Sequence, residues 1–429
     1  MEENPIILAA GKGTRMWPLT SSRPKPTLPV GGEPLICRHL RILARYYRKI
    51  TVVVGYMSEK LINTINSCNT LNLSIKYIKQ EEEKGTGHAL LTALPKIREK
   101  AKSLLIIYAD TYLSESDYVG FLEGNAEIGV ASVDEPWNYG VLEIKNGLVR
   151  HIVEKPKRGT EPSNLIYAGI LRLKEDPFET LKHAKPSPRG EIEIVDVIED
   201  IAKKRGLSYH LFEKWIDVGR PWDLLTANKH ALEEAMENNC SDRECKVMND
   251  TYGFPSILYS GMPKKIDERA VIEGPAYIGK GVTIRPYAFL RPYNSLMPDS
   301  LVGSHVEVKA SILLEGSKVP HLSYVGDSVI GENANLGAGT ITANFRFDGR
   351  QVKSVVKGKK IETGLRKFGA IIGANVRTGI NVSLLPGVKI GVNSWIYPGC
   401  IVSSDIPDNT ILKCDQQRST EILERLDRQ

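Results

Sequence analysis

From Ile278 onward an aliphatic residue returns at every sixth position: Ile278, Ile284, Leu290, Leu296, Val302, Val308 and Leu314. The spacing resumes with Ile330 and Leu336, and again with Ile372, Leu384, Ile390, Ile396 and Val402, Thr378 standing between the first two of these. A period of six matches neither a helix nor a half-buried alternating strand. It fits a β-solenoid with three short faces per turn, in which each hexad sends one side chain inward. Glycine follows the aliphatic residue in Ile278-Gly279, Val302-Gly303, Ile330-Gly331, Leu336-Gly337, Ile372-Gly373 and Ile390-Gly391, the small residue that a corner requires.

Two interruptions stand out, because coils stack only on their neighbours and interrupted repeats release loops for other work. One is the step of sixteen between Leu314 and Ile330. The other is the segment 345–368, which holds eight basic residues (Arg346, Arg350, Lys353, Lys357, Lys359, Lys360, Arg366, Lys367) against Asp348 and Glu362. That segment accounts for the whole net charge of +6. It reads either as a solvated loop or as a site for an anionic ligand; few aromatics are interleaved for base stacking, which disfavours nucleic acid.

The first half follows a different rule. Ile6–Ala10, Ile50–Val54, Leu104–Tyr108 and Ile128–Ser132 are short aliphatic runs, and Pro34–Tyr47, Ser58–Ser67 and His88–Lys100 carry helical spacing between them. Alternation of this kind predicts an α/β domain with a mostly parallel sheet. A helix from about Trp222 to Met236 closes this half, and the polar span after it reads as a linker. At 429 residues the chain has room for two or three domains.

After the first strand comes Ala10-Gly11-Lys12-Gly13-Thr14-Arg15-Met16, a glycine-rich turn whose backbone can approach a phosphate chain. Met16 stands where a dinucleotide fingerprint needs its third glycine, and no Gly-Lys-Ser/Thr of a Walker loop is present there. Taken with Pro24-Lys25-Pro26, Gln80, Gly85-Thr86-Gly87-His88, Tyr108-Ala109-Asp110, Tyr139-Gly140, Val153-Glu154-Lys155-Pro156 and Asp217-Val218-Gly219, this half resembles the sugar-1-phosphate nucleotidyltransferases. The second half contains Pro320-His321-Leu322-Ser323-Tyr324, Gly337-Ala338-Gly339-Thr340, Leu290-Arg291-Pro292 and Val306-Glu307-Val308-Lys309, and resembles the hexapeptide-repeat acyltransferases. The combination is similar to the GlmU-type bifunctional enzymes, and most of all to their archaeal sugar-1-phosphate nucleotidylyltransferase/acetyltransferase branch.

The resemblance implies a Rossmann-like α/β nucleotidyltransferase domain over 1–236, a linker over 237–262, a left-handed parallel β-helix over 263–414 and a short C-terminal helix over 415–429. It implies that Ala10, Gly11, Gly13, Gln80 and Gly85 bind the nucleotide, with Arg15 and Lys25 at the phosphates. Asp110 and Asp217 would hold Mg²⁺, while Tyr108, Gly140, Glu154 and Lys155 would hold the sugar phosphate. This equipment suits attack by a sugar-1-phosphate oxygen on an α-phosphorus, since two anions must be brought together by cations and positioning. Asp217 stands where bacterial members carry Asn, which implies use of both UTP and dTTP; Tyr167 stands where N-acetylglucosamine-specific members carry Asn.

For the second half the resemblance makes His321 the general base that deprotonates a sugar amine attacking acetyl-CoA, a task suited to an imidazole. Arg291 and Lys309 would hold the sugar phosphate, Tyr324, Asn335 and Asn344 would orient sugar and acetyl group, and Ala338 would lie beside the thioester. Lys353, in the basic segment, would take the place of a family lysine facing substrate or coenzyme phosphates. The resemblance further implies a homotrimer. Two other readings stay open: a nucleotidyltransferase whose solenoid serves only oligomerisation or regulation, and a non-catalytic assembly subunit.

The remaining expectations are negative. No stretch reaches the 18 or more apolar residues of a membrane helix, and the acidic MEENPIILAA start lacks the pattern of a secretory signal, so neither membrane nor export is expected and the cytoplasm is. The six cysteines, at 37, 68, 240, 245, 400 and 414, form no CxxC pair and are expected to be reduced thiols.

Overall fold

The computed structural model of the protein describes residues 3–69, 73–97, 103–187, 190–237 and 246–414. In the first half the aliphatic runs form the parallel strands Glu3–Ala9, Lys49–Val54, Ser74–Lys79 and Ser103–Tyr108. Glu3–Ala9 lies in the middle, with Lys49–Val54 and then Ser74–Lys79 on one side and Ser103–Tyr108 on the other. The strand order therefore reverses between Glu3–Ala9 and Ser103–Tyr108. In open α/β sheets ligands bind outside the carboxyl ends of the strands at such a reversal. Leu165–Leu173 extends the sheet antiparallel to Ser103–Tyr108, and carries Gly140–Lys145 and Ile128–Ser132 as neighbours. The helices Leu35–Leu43, Ser58–Cys68 and Thr86–Ile97 cover the sheet, because their apolar stripes match its continuous aliphatic faces.

The second half climbs as a stack of coils. Successive short strands fall in rotation on three parallel sheets, for example Ala276–Ile278, Thr283–Ile284 and Phe289–Leu290, followed by Asn294–Leu296 back on the first sheet. The interior is a continuous aliphatic column from Ile257 to Ile406.

The expected break after Leu314 is not a break. The inward residue there is Leu313, followed by Val319, Val325 and Ile330. A coil advances 18 residues from Ile278 to Leu296, but 17 from Leu296 to Leu313 and from Leu313 to Ile330. One corner per turn is a residue shorter, so the hexad count slips without loss of the coil. Leu314, taken from the spacing as an interior residue, faces outward and packs against the first half.

Within the span expected as a linker, Lys246–Asn249 and Pro255–Tyr259 form a hairpin whose second strand pairs with Ala276–Ile278 and so begins the first face. The basic segment folds as the hairpin Lys353–Val356/Lys359–Glu362, inserted between two coils. The expected C-terminal helix lies outside the described residues.

The two halves share a core. Met16, Leu19, Leu28, Trp222 and Leu224 pack with Leu258, Tyr277, Met297, Leu314 and Phe368. Gly32, at φ +82°, makes room for this contact: a Cβ there would lie 2.2 Å from the Tyr277 ring. Asn228 ties the halves by accepting from the Gly31 amide at 2.9 Å and the Ser295 hydroxyl at 2.7 Å.

The cysteines correct the expectation of reduced thiols. Cys37 and Cys68 form a disulfide across two packed helices, and Cys400 and Cys414 form a second at the end of the coils. Spacing in sequence carries no sign of either pair; packing of the helices side by side brings Cys37 and Cys68 together, with 5.9 Å between Cα atoms. Cys240 and Cys245 lie outside the described residues.

Candidate active sites

At the reversal of strand order, the chain leaving Glu3–Ala9 turns through Gly11 and Gly13 into three successive single 3₁₀ turns, Thr14–Met16, Leu19–Ser21 and Lys25–Thr27. Gly13 sits at φ +63°, and a Cβ there would lie 3.0 Å from Cβ of Lys25, so glycine lets the turn close over the lysine. Opposite, Asp110 ends the strand Ser103–Tyr108, and Asp217 pairs in register with Thr111 on a two-stranded ribbon. The Val218 amide donates to the Asp110 carbonyl at 3.0 Å, which fixes the two carboxylates side by side.

The buried Lys25 ammonium reaches both, at 2.6 Å from Asp110 Oδ2 and 3.7 Å from Asp217 Oδ1. Arg15 approaches Asp217 from the open side at 3.5 Å. Burial works against ionisation of Asp110, but the Lys25 charge and hydrogen bond outweigh it and hold the carboxyl below its usual range. Burial likewise opposes the Arg15 charge, and Asp217 with Asp110 more than restores it. Gly219 leaves room for this pair: a Cβ would lie 2.8 Å from Asp217 Oδ2 and 3.0 Å from Arg15 Nη2.

Gln80, buried, donates to the Gly85 carbonyl at 3.3 Å and meets His88 Nδ1 at 2.8 Å, so Gln80 and Gly85 form one wall. On the other side Gly140 pairs in register with Glu154, whose carboxylate lies 3.2 Å from Lys155 Nζ. The Tyr108 and Tyr167 rings meet edge to face at 5.5 Å. Burial, reinforced by Tyr167, pushes the Tyr108 phenol well above its usual range, so it stays a neutral hydrogen-bonding group.

Asp223 belongs to this site and has no counterpart among the residues expected from the sequence. Its carboxylate accepts from the Arg220 amide at 2.8 Å. Burial, then the charge of Asp217, push its pKa up to about 7. In the sequence it looks like an ordinary acidic residue in a first helical turn.

In the coils, Arg291 and Lys309 end successive strands of one face, and each has a carboxylate partner: Glu307 at 3.1 Å and Asp327 at 2.9 Å. Asn344 donates to the Tyr324 hydroxyl at 3.0 Å and to Asp327. Arg291, Glu307, Lys309, Tyr324, Asp327 and Asn344 thus form one polar cluster. Glu307 and Asp327 carry its negative charge, and neither is among the residues given a role by the resemblance. His321 ends a strand of the adjacent face with its ring exposed; its side chain hydrogen-bonds none of the described residues. Asn335 lies on that face, bridged through its backbone to Lys318 and Arg377, and Ala338 follows at the corner. Lys353 pairs with Glu362 across the inserted hairpin at 3.4 Å, and the next residue, Ser354, bonds the Gly387 carbonyl.

A glycine turn at the strand reversal, two cations and two converging carboxylates define a nucleotidyl transferase, and the coils add a second polar site. The Nucleotidyl transferase family model matches residues 4–234, and the GMPPB C-terminal domain model matches 272–378. The chain is 41% identical over 418 residues to the Bifunctional protein GlmU of Methanococcus maripaludis (strain C5), covering 95% of this chain and 96% of the relative. It is 42% identical over 426 residues to the Bifunctional sugar-1-phosphate nucleotidylyltransferase/acetyltransferase of Sulfurisphaera tokodaii, covering 94% and 97%. The Bifunctional protein GlmU of Methanocaldococcus jannaschii is 41% identical over 430 residues, with 95% and 96% covered. The chain belongs to this GlmU family of bifunctional proteins.

Proposed function

We propose that the first half transfers a nucleotidyl group from UTP or dTTP to a sugar 1-phosphate, and that the coils N-acetylate glucosamine or galactosamine 1-phosphate with acetyl-CoA. The observation that carries the reading is the convergence of Lys25 on Asp110 and Asp217, with Arg15 beside them. In the first reaction a phosphate oxygen of the sugar 1-phosphate forms a bond to the α-phosphorus while the bond to the bridging α–β oxygen breaks and pyrophosphate departs. Lys25 and Arg15 offset the charge that gathers on the transferring group, and Gly11 and Gly13 let the triphosphate approach the backbone. Gln80 and Gly85 form the base wall; Tyr108, Gly140, Glu154 and Lys155 form the sugar wall.

The donor set fits Mg²⁺. Among the described residues no three His, Cys, Asp or Glu side chains gather as a closed metal cage. Mg²⁺ prefers one or two carboxylates together with substrate phosphates and water. Asp110 and Asp217 would hold the ion, which when bound neutralises triphosphate charge.

In the second reaction the amine nitrogen bonds to the thioester carbonyl carbon, the C–S bond breaks and coenzyme A leaves as the thiol. His321 takes the proton that the amine gives up and passes it to the departing sulfur, so that coenzyme A leaves as the thiol. Arg291 and Lys309, each oriented by its carboxylate, bind the sugar phosphate, and Tyr324, Asn335, Asn344 and Ala338 line the path of the acetyl group.

We further infer that the coils are a left-handed β-helix over about 263–414 following a domain over about 1–236, that three copies associate through them, and that the enzyme works in the cytoplasm. Exposed Ile341, Trp395, Ile401 and Ile411 support association. No helix among the described residues is long and apolar enough to cross a membrane. Incubation with glucosamine 1-phosphate, acetyl-CoA, UTP and Mg²⁺ tests both activities, with thiol and pyrophosphate measured separately; release of pyrophosphate alone would leave the coils without a catalytic role.

A further inference from the structure

The turn that carries Arg15 and Lys25 is held from beneath by buried Met16 and Leu19, and by hydroxyls of Thr20 and Tyr56 that donate to the Gly13 and Thr20 carbonyls at 3.0 and 2.9 Å. Its three 3₁₀ turns are one winding each, which is poor self-support. Arg15 is half exposed and meets Asp217 only at 3.5 Å, so its place depends on the backbone beneath it. The other half of the protein adds a further anchor to that backbone. Asp408, in the last coil, accepts from Trp17 Nε1 at 3.0 Å with one carboxylate oxygen and from the Ser21 hydroxyl at 3.0 Å with the other. The first oxygen also accepts from the Val392 amide at 2.9 Å, which fixes the carboxylate to the coil. Gly391 leaves the space: a Cβ there would lie 2.5 Å from that same oxygen. The Lys389 ammonium lies 5.0 Å above the Trp17 ring, so the indole is held by its edge and its face.

We propose that Asp408 is a positioning residue for nucleotidyl transfer: by gripping Trp17 and Ser21 it sets the turn that presents Arg15 and Lys25 to the triphosphate. The inference rests on the nucleotidyl-transfer reading of the Arg15–Lys25–Asp110–Asp217 site. Residues 391 apart in sequence thereby act on one reaction, and the coils are part of the nucleotidyltransferase machinery as well as the bearer of a second site.

The full-length chain provides its own control, because acetyl transfer reports whether the coils are intact. Asp408→Ala is expected to lower kcat for pyrophosphate release between about tenfold and a hundredfold, the effect of a misplaced catalytic group, with thiol release unchanged. Asp408→Asn keeps an acceptor for the indole N–H and should recover most of the loss. Trp17→Phe keeps the ring and removes the donor; it should reduce the same rate, and Asp408→Ala combined with Trp17→Phe should be no slower than Asp408→Ala alone. Unchanged pyrophosphate release in Asp408→Ala would overturn the proposal, as would a parallel fall of both activities or independent, multiplying effects of the two substitutions. A wild-type chain that released thiol but no pyrophosphate would instead overturn the reading of the site itself.

Discussion

Lys25 Nζ, buried, lies 2.6 Å from Asp110 Oδ2 and also faces Asp217. A buried ammonium held between two carboxylates is pre-oriented toward the place where a triphosphate would bring negative charge, and needs no rearrangement when it arrives. Lys25→Met is therefore expected to lower kcat for pyrophosphate release by about 10²–10³-fold, the range for loss of one fixed electrostatic stabiliser. Acetyl transfer in the same variant should be unaffected. A rate within experimental error of wild type would show that Lys25 only fills space.

His321 offers the complementary separation. It is exposed at its strand end and free of side-chain partners among the described residues, as the general base of the proposed acetyl transfer would need to be. His321→Ala should lower thiol release by about 10²–10⁴-fold, the usual contribution of a general base, while leaving pyrophosphate release intact. Retained thiol release would move the base to another group.

His39 predicts an acid-sensitive core. It lies fully buried beneath Tyr118, with Nδ1 3.2 Å from the phenol oxygen, and burial, then the adjacent Arg38 charge, push its pKa down to about 4. The unfolded chain therefore takes up a proton below about pH 6.5 that the folded chain refuses until about pH 4. Stability falls as pH drops through that window, by about 3 kcal/mol in all. Denaturant unfolding at pH 7 and pH 4.5 should show a smaller acid loss in His39→Gln than in wild type; equal losses would remove His39 from the account.

The disulfide between Cys37 and Cys68 closes a loop of 31 residues. A cross-link of that span restricts the unfolded chain by about 3–4 kcal/mol. Cys37→Ser should lower unfolding stability by that order under oxidising conditions and make no difference in excess reductant. Peptide mapping of the native protein is decisive: recovery of Cys37 and Cys68 as free thiols would contradict the pairing.

Much of this was legible in the chain itself. Asp110 shows as an acid after an aliphatic run, and Asp217 through its Val-Gly neighbours; the fold brings them together as those motifs imply. The hexad period marks the coils, and slips by one residue before Leu313 and again before Ile330, where a corner is a residue shorter. Contacts between the halves left no such trace. Asp408 bonding Trp17, and Arg23 bonding Glu315 and Glu332, join residues hundreds of positions apart that belong to no shared period. Asp223 was hidden for a related reason: its burial depends on the closing of the site around it.

The most direct measurement substitutes each carboxylate of the pair. Asp110→Asn and Asp217→Ala, assayed across a magnesium titration, are expected to lose at least about 10²-fold in pyrophosphate release, to need more Mg²⁺ for what remains, and to release thiol at the wild-type rate. Wild-type pyrophosphate release at wild-type magnesium dependence in either variant would contradict the account.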